Sequence, residues 1–418
     1  MSASRRWERR CTRTPPAGSR PGGASRGRRP TERSRPSLGI GRGDVSPRFR
    51  RRPSQAAASA RRSPSSGSAT KPQAASAASG TAESLRERGL LGGPAYAGAV
   101  AAEIRVGTCS WADEALSKYW YPKGTPARER LRYYAEHFDT VEVDSTYYRL
   151  PAEEMVEGWA ERTPEGFVMH VKAFGVMTRH PVKVEQLPPD LRDEAPKDER
   201  GRVDRPPREF RAEVFRRFLE ALEPLRSTGK LGGILFQFPP YVVPKEASLD
   251  YLGWAREQLG GDEMLVEFRH RSWLDEEHRD ETLRFLEEHG MAHVVVDAPR
   301  TEGKNVPLTV FALTTPILYV RMHGRNAETW NARGGSAAER FDYLYSDEEL
   351  AEWVNPLRDL SQKAEEAYVL FNNNNRSRVG GREVAQAPTN AERLRELLAQ
   401  AGVPVSGARA RGARAGSR

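Results

Sequence analysis

From Glu103 onward, short apolar runs alternate with longer stretches in which apolar residues recur at helical spacing. The apolar runs read as strands over 104–110 (IRVGTCS), 140–147 (TVEVDSTY), 167–174 (FVMHVKAF), 232–238 (GGILFQF), 264–270 (MLVEFRH), 292–298 (AHVVVDA), 317–323 (ILYVRMH) and 367–373 (AYVLFNN). Between most of them lie amphipathic helices, predicted over 126–138, 211–225 and 347–366 among others. Eight strands, each usually followed by a helix, predict an α/β fold of the TIM-type (β/α) barrel kind. No G-x-G-x-x-G follows the first strand, which argues against a dinucleotide-binding open sheet. The barrel is expected to be irregular between strands six and seven, where 299–316 lacks a helical pattern. A charged, proline-rich stretch over 175–207 reads as a long loop, a lid or an ordinary insertion.

Strands of a parallel barrel are covered on both faces, so a charge inside one needs a reason. Here nearly every strand ends in polar residues: Glu142 and Asp144, His170 and Lys172, Gln237, Glu267 and Arg269, Asp297, Arg321 and His323, Asn372 and Asn373. The carboxy-terminal ends of the strands form the mouth where barrel enzymes place their chemistry. Any one of these residues has a bland reading as half of a buried ion pair or a core histidine. Eight strands ending this way together point to a functional mouth. Its near balance of acids and cations suits acid–base work on a polar, anionic or sugar-like small molecule. Glu267 or Glu142 is the candidate base and Lys172 or His323 the candidate acid. Arg269 and Arg321 offer planar forks to an anion. Gln237, Asp297, Asn372, Asn373 and Ser145 are candidate substrate contacts, with Tyr147 and Trp111 as stacking walls.

Charge divides the chain. Residues 1–100 hold 21 Lys and Arg against five Asp and Glu, and the tail from Val403 adds four arginines. Because the whole chain carries +9, residues 101–402 are net acidic. The first 100 residues are rich in Arg, Ser, Pro, Gly and Ala, a composition that cannot bury enough apolar surface to offset ordering. They are expected to be a disordered basic extension, or an extended reading of the gene, followed by a barrel domain over 101–402 and a disordered basic tail over 403–418. An arginine-rich arm can bind nucleic acid through phosphates, but no aromatics are interleaved to support that reading. Two cysteines, Cys11 and Cys109, provide no disulfide framework or cysteine zinc site. No secretory signal or membrane-length apolar run is present, so a cytoplasmic protein is the default expectation.

Three function classes stay open at this level. A metal-independent hydrolase or lyase, with no cofactor, acting on a small anionic or sugar-like metabolite is first. A divalent-metal phosphoesterase or nuclease-like barrel is second, although no H-x-H or H-E-x-x-H spacing occurs. A non-catalytic ligand-binding or nucleic-acid-binding module is third.

The strand ends also carry a family resemblance. VGTCSW (106–111), VEVDSTYYRLP (141–151), VKAF (171–174), ILFQFPP (234–240), VEFRHRSW (266–273), YVRMHGR (319–325), FNN (371–373) and TNAERL (389–394) occur in the order seen in the YecE-like family. The sequence resembles that family, catalogued as domain of unknown function 72, across 104–402. The resemblance implies a TIM barrel with polar strand ends lining a pocket, and no established reaction. Carried over position by position, it marks Glu142, Ser145, Tyr147, Lys172, Gln237, Glu267, Arg269, Asp297, Arg321, His323, Asn372 and Asn373. Asp144 stands where the family more often has Asn, and 374–388 is longer than the usual link.

Overall fold

The computed structural model describes residues 101–330 and 337–407. The expectations for residues 1–100 and for the last part of the tail lie outside the described residues. Eight parallel strands close into a barrel in sequence order: β1 Ile104–Cys109, β2 Thr140–Val143, β3 Val168–Lys172, β4 Leu231–Phe238, β5 Met264–Phe268, β6 Met291–Asp297, β7 Ile317–Met322 and β8 Glu366–Phe371. β8 closes the ring by pairing with β1 from Ile104↔Ala367 to Thr108↔Phe371. Among the described residues, no helix joins β6 to β7, as the missing periodicity predicted.

The two-residue period of the strands sorts their side chains into two cores. Cys109, Leu235, Leu265, Ala292, Val294, Val296, Tyr319, Tyr368 and Leu370 fill the interior. Neighbours of opposite parity, such as Val141, Val171, Phe236, Val266, Val295 and Val320, pack outward against the helices. Gly107 lets β1 approach β2 closely, since a Cβ there would sit 2.3 Å from the Thr140 carbonyl oxygen.

Several predicted elements are shorter or divided. The second strand ends at Val143, and Ser145–Tyr147 turns into a 3-10 helix. The helix expected over 211–225 is two helices, Arg208–Ala221 and Glu223–Ser227, with Pro224 in the first turn of the second. The helix expected over 347–366 is likewise divided into Asp347–Ala351 and Val354–Ser361. The stretch over 175–207 is packed, burying Val176, Met177, Val182, Val184, Leu187, Leu191 and Val203. Beyond β8 a hairpin, β9 Arg376–Val379 and β10 Arg382–Ala385, turns through Gly380 and Gly381 at φ +57° and +82°. Two consecutive positive φ values are what a tight two-residue hairpin turn requires, and glycine supplies them without strain.

Packing continues past residue 402. Val403 and Val405 are buried, Ile104 donates its N–H to Pro404 O, and Ser406 donates to Ile104 O. Alternating apolar residues thus extend the chain along the start of β1, and tail-like composition begins only after residue 405.

Candidate functional site

β7 reads Tyr319, Arg321, then His323 just beyond its end, and the two-residue period puts all three on the barrel interior. Arg321 is fully buried and forms the centre of the site. Its Nε and Nη2 donate to the two oxygens of Glu142 at 2.8 and 2.7 Å, and its Nη1 donates to Glu267 Oε2. Tyr319 OH donates to Glu142 Oε2 at 3.0 Å. Glu267 Oε1 accepts from Gln237 Nε2 at 2.6 Å, and Gln237 Oε1 accepts from Lys172 Nζ at 3.0 Å. A continuous chain of polar contacts therefore crosses the barrel from β3 through β4, β5 and β7 to β2. Ladder register helps build it, because Gln237 sits directly beside Glu267.

His323 completes the ring. Its Nε2 lies 3.0 Å from Glu267 Oε1 and its Nδ1 lies 2.9 Å from Asn372 Nδ2. The contacts assign a neutral ring that donates from Nε2 to the carboxylate and accepts at Nδ1 from the amide. Burial lowers the His323 pKa to about 3, against the opposing pull of Glu267. For Glu267, burial opposes ionisation, yet Arg321 and His323 override it and hold the carboxyl well below its ordinary value. Glu267 is tied to Gln237 and His323 through Oε1 and to Arg321 through Oε2. Glu142 accepts from Arg321 at both oxygens and from Tyr319 at Oε2.

Two cations face the mouth with capacity to spare. Lys172 is half-buried, lies 5.0 Å from the Tyr147 ring centre, and makes no ion pair among the described residues. Burial lowers its pKa, with Arg321 adding to the effect against Glu142, Glu267 and Asp144. Arg269 stacks 4.5 Å over Trp330 and sits 3.9 Å from Glu267, while its buried Nε has no hydrogen-bond partner among the described residues. Asp144, carried just past β2, has its pKa raised to about 6 by burial, with Lys172 pulling the other way.

The structure brings Glu142, Tyr147, Lys172, Gln237, Glu267, Arg269, Arg321, His323 and Asn372 together, and separates the other candidates from them. Asp297 has the opposite parity to Val294 and Val296. It accepts from Arg325 Nε at 2.9 and 3.2 Å, and Arg325 continues to Glu349 and Glu352. This pins the segment after β7 to the helix Asp347–Ala351. Asn373 also turns outward, donating to Tyr343 O at 2.8 Å and Asn390 Oδ1 at 2.9 Å. Trp111 packs edge-on against Trp159 of the helix Glu153–Glu161, at 5.8 Å. Ser145 is exposed at the start of its 3-10 turn. His170 lies below the charged layer, inside the barrel.

Other mouth residues escaped the sequence reading. His180, from the stretch after β3, meets the Tyr147 ring edge-on at 5.1 Å and is held neutral by burial and by the charges of Lys172 and Arg269. Trp330 and Phe341 close over His323 and Arg269. Ser110 adopts φ 119° immediately after β1, an unfavourable backbone state of the kind that clusters at functional sites. Asp113, the N-cap of helix Glu114–Tyr119, reads in sequence only as a cap; burial raises its pKa to about 7.

A family model described as "Protein of unknown function DUF72" matches residues 105–413. The chain belongs to the DUF72 family. It is 32% identical over 298 residues to the UPF0759 protein YunF of Bacillus subtilis (strain 168), covering 71% of this chain and 94% of that protein. Among solved DUF72 structures, TM1631 from Thermotoga maritima MSB8 is 32% identical with a TM-score of 0.55, over 71% of this chain and 99% of that one. EF0366 from Enterococcus faecalis V583 is 28% identical with a TM-score of 0.56, over 71% and 95%. The two solved DUF72 structures share the fold, and none of these names states a reaction. Among the described residues of this DUF72 chain, no helix is long and apolar enough to cross a membrane.

Proposed function

We propose that the barrel mouth is a metal-independent acid–base site, hydrolase or lyase in type, for a small anionic metabolite. Lys172 is the reacting base, Asp144 its proton partner and Arg269 the anion anchor. One observation carries the reading: among the described residues Lys172 Nζ hydrogen-bonds to Gln237 Oε1 at 3.0 Å and makes no ion pair, with its ammonium form disfavoured by burial and by Arg321. A lysine whose ammonium form is disfavoured in this way is the group to which we assign proton abstraction or attack on a carbonyl carbon. Asp144, with a pKa of about 6, exchanges protons near neutrality. The fixed Glu142–Arg321–Glu267 cluster below them sets the field and holds Gln237 in place. A metal-centred reaction fits this donor set poorly. Glu142 and Glu267 are bound by Arg321, and among the described residues no group of three or more His, Cys, Asp or Glu side chains suits a metal ion.

The test needs no known substrate. Trinitrobenzenesulfonate, an anionic amine reagent, labels Lys172 at pH 7.5 ahead of the exposed lysines, as read by peptide mass spectrometry. Lys172→Met removes the fast phase, and Arg269→Gln slows it. Labelling of Lys172 no faster than that of exposed lysines would overturn the reading.

A further inference from the structure

Beside Arg269 the mouth holds a second arginine. Arg340 ends the four-residue helix Ala337–Arg340, between β7 and β8, and is exposed. Thr329 Oγ1 donates to Arg340 O at 3.0 Å, which ties this helix to the one that carries Trp330. The ring centre of the next residue, Phe341, lies 5.9 Å from the Arg269 guanidinium. Arg340 is therefore near enough for its charge to be felt across the mouth. It opposes the ionised form of Arg269 and favours the ionised forms of Tyr147 and Tyr148.

Two like charges held close together repel unless an anion stands between them. Among the described residues Arg340 makes no ion pair. Arg269 has Glu267 at 3.9 Å, but that carboxylate already accepts from Arg321, Gln237 and His323. Guanidinium groups are planar forks that donate in pairs to oxyanions. Two forks side by side match a phosphate monoester, which brings three acceptor oxygens and up to two negative charges, better than a carboxylate with two oxygens and one charge.

The rim next to this pair is aromatic and uncovered. Tyr148 and Tyr241 leave 54% and 58% of their surface exposed. Tyr148 meets Tyr147 edge-on at 5.0 Å, and Tyr241 lies near enough to Tyr147 to influence its phenol. Both are fixed by main-chain contacts: Gln186 Nε2 donates to Tyr148 O at 2.8 Å, and Tyr241 OH donates to Arg179 O at 2.7 Å. Rings held in place but left open beside a cationic pair suit a ligand that joins an anionic group to a ring of its own.

We propose that the mouth takes a phosphate monoester of a ring-bearing metabolite, with the phosphate between Arg269 and Arg340 and the ring against Tyr148. This names the substrate class of the site read above and rests on that reading. It leaves Lys172, 5.0 Å from the Tyr147 ring centre, to act on the organic part. The probe is phenyl phosphate, titrated calorimetrically into the full chain beside inorganic phosphate, benzoate and phenol. Phenyl phosphate should bind saturably and about tenfold more tightly than inorganic phosphate or benzoate, and phenol should not bind. Arg340→Gln should weaken both phosphates about tenfold through loss of a charge-assisted contact. Tyr148→Ala should remove only the advantage of phenyl phosphate over inorganic phosphate. Arg128→Gln, at a side chain 83% exposed on the helix Ala127–Ala135, should change neither. Benzoate binding as tightly as phenyl phosphate, affinity unchanged in Arg340→Gln or Tyr148→Ala, or an equal loss in Arg128→Gln would each overturn the proposal. Trinitrobenzenesulfonate labelling separates it from the mouth reading. Fast Lys172 labelling without phenyl phosphate binding would sink this inference alone, whereas phenyl phosphate binding with slow Lys172 labelling would sink only the role given to Lys172.

Discussion

Arg321 commits every guanidinium nitrogen inside the barrel, to Glu142, to Glu267, and at 3.6 Å to the Cys109 sulfur. Held this way, Arg321 offsets the charge of two buried carboxylates. Breaking a buried pair by removing one partner costs about 3–5 kcal/mol, because a charge is stranded in low dielectric. Arg321→Met should therefore lower the urea unfolding free energy by that amount, and Arg321→Lys should not restore it, since lysine lacks the fork. His323 carries a pH signature. Its folded pKa of about 3 lies below the roughly 6.5 of an unfolded histidine. The unfolded state then binds the extra proton between those values, so this stabilisation is fully present above pH 6.5 and is lost as pH falls toward 3. Unfolding midpoints measured from pH 4 to 6.5 should show a shallower slope in His323→Gln. The change is at most one proton, about 1.4 kcal/mol per pH unit.

At the scale of elements, strand parity decided which polar residues meet. Val296 rather than Asp297 faces inward from β6, and Asp297 instead anchors the segment after β7 through Arg325. Arg325→Leu leaves Asp297 buried and unpaired, with a cost of about 3–5 kcal/mol. Amide hydrogen exchange in 343–351 should rise in that variant, while trinitrobenzenesulfonate labelling of Lys172 should not change. A rise spread evenly over all strands would show that the ion pair does not act locally. Residues 403–406 are similarly tied to β1. Ending the protein at 402 removes Val403 and Val405 from their contacts on β1. At roughly 1.5–3 kcal/mol for each buried side chain of this size, it should unfold at lower urea than a chain ending at 407.

At the scale of the molecule, the basic ends and the net acidic barrel make separate predictions. If the mouth reading holds, a chain beginning at residue 101 keeps the fast Lys172 labelling. Salt-sensitive nucleic-acid binding that is lost with residues 1–100 would instead assign a role to the arm. The barrel itself was legible in sequence because eight apolar runs separated by helical periods admit few other closures. Glu142, Lys172, Glu267, Arg269 and His323 were legible as a group because charges at consecutive strand ends must share one mouth. Their roles were not legible. Which carboxylate Arg321 neutralises, which cation is left over, and whether a histidine is neutral are all set by distances across the barrel. Those distances depend on stagger and parity set by every strand at once. His180 and Trp330 reach the mouth from connections with no period to read. Local pattern determined the strands, their polar ends and the family; closure of the ring decided which charges cancel and which remain, because electrostatic pairing depends on through-space distance and not on order along the chain.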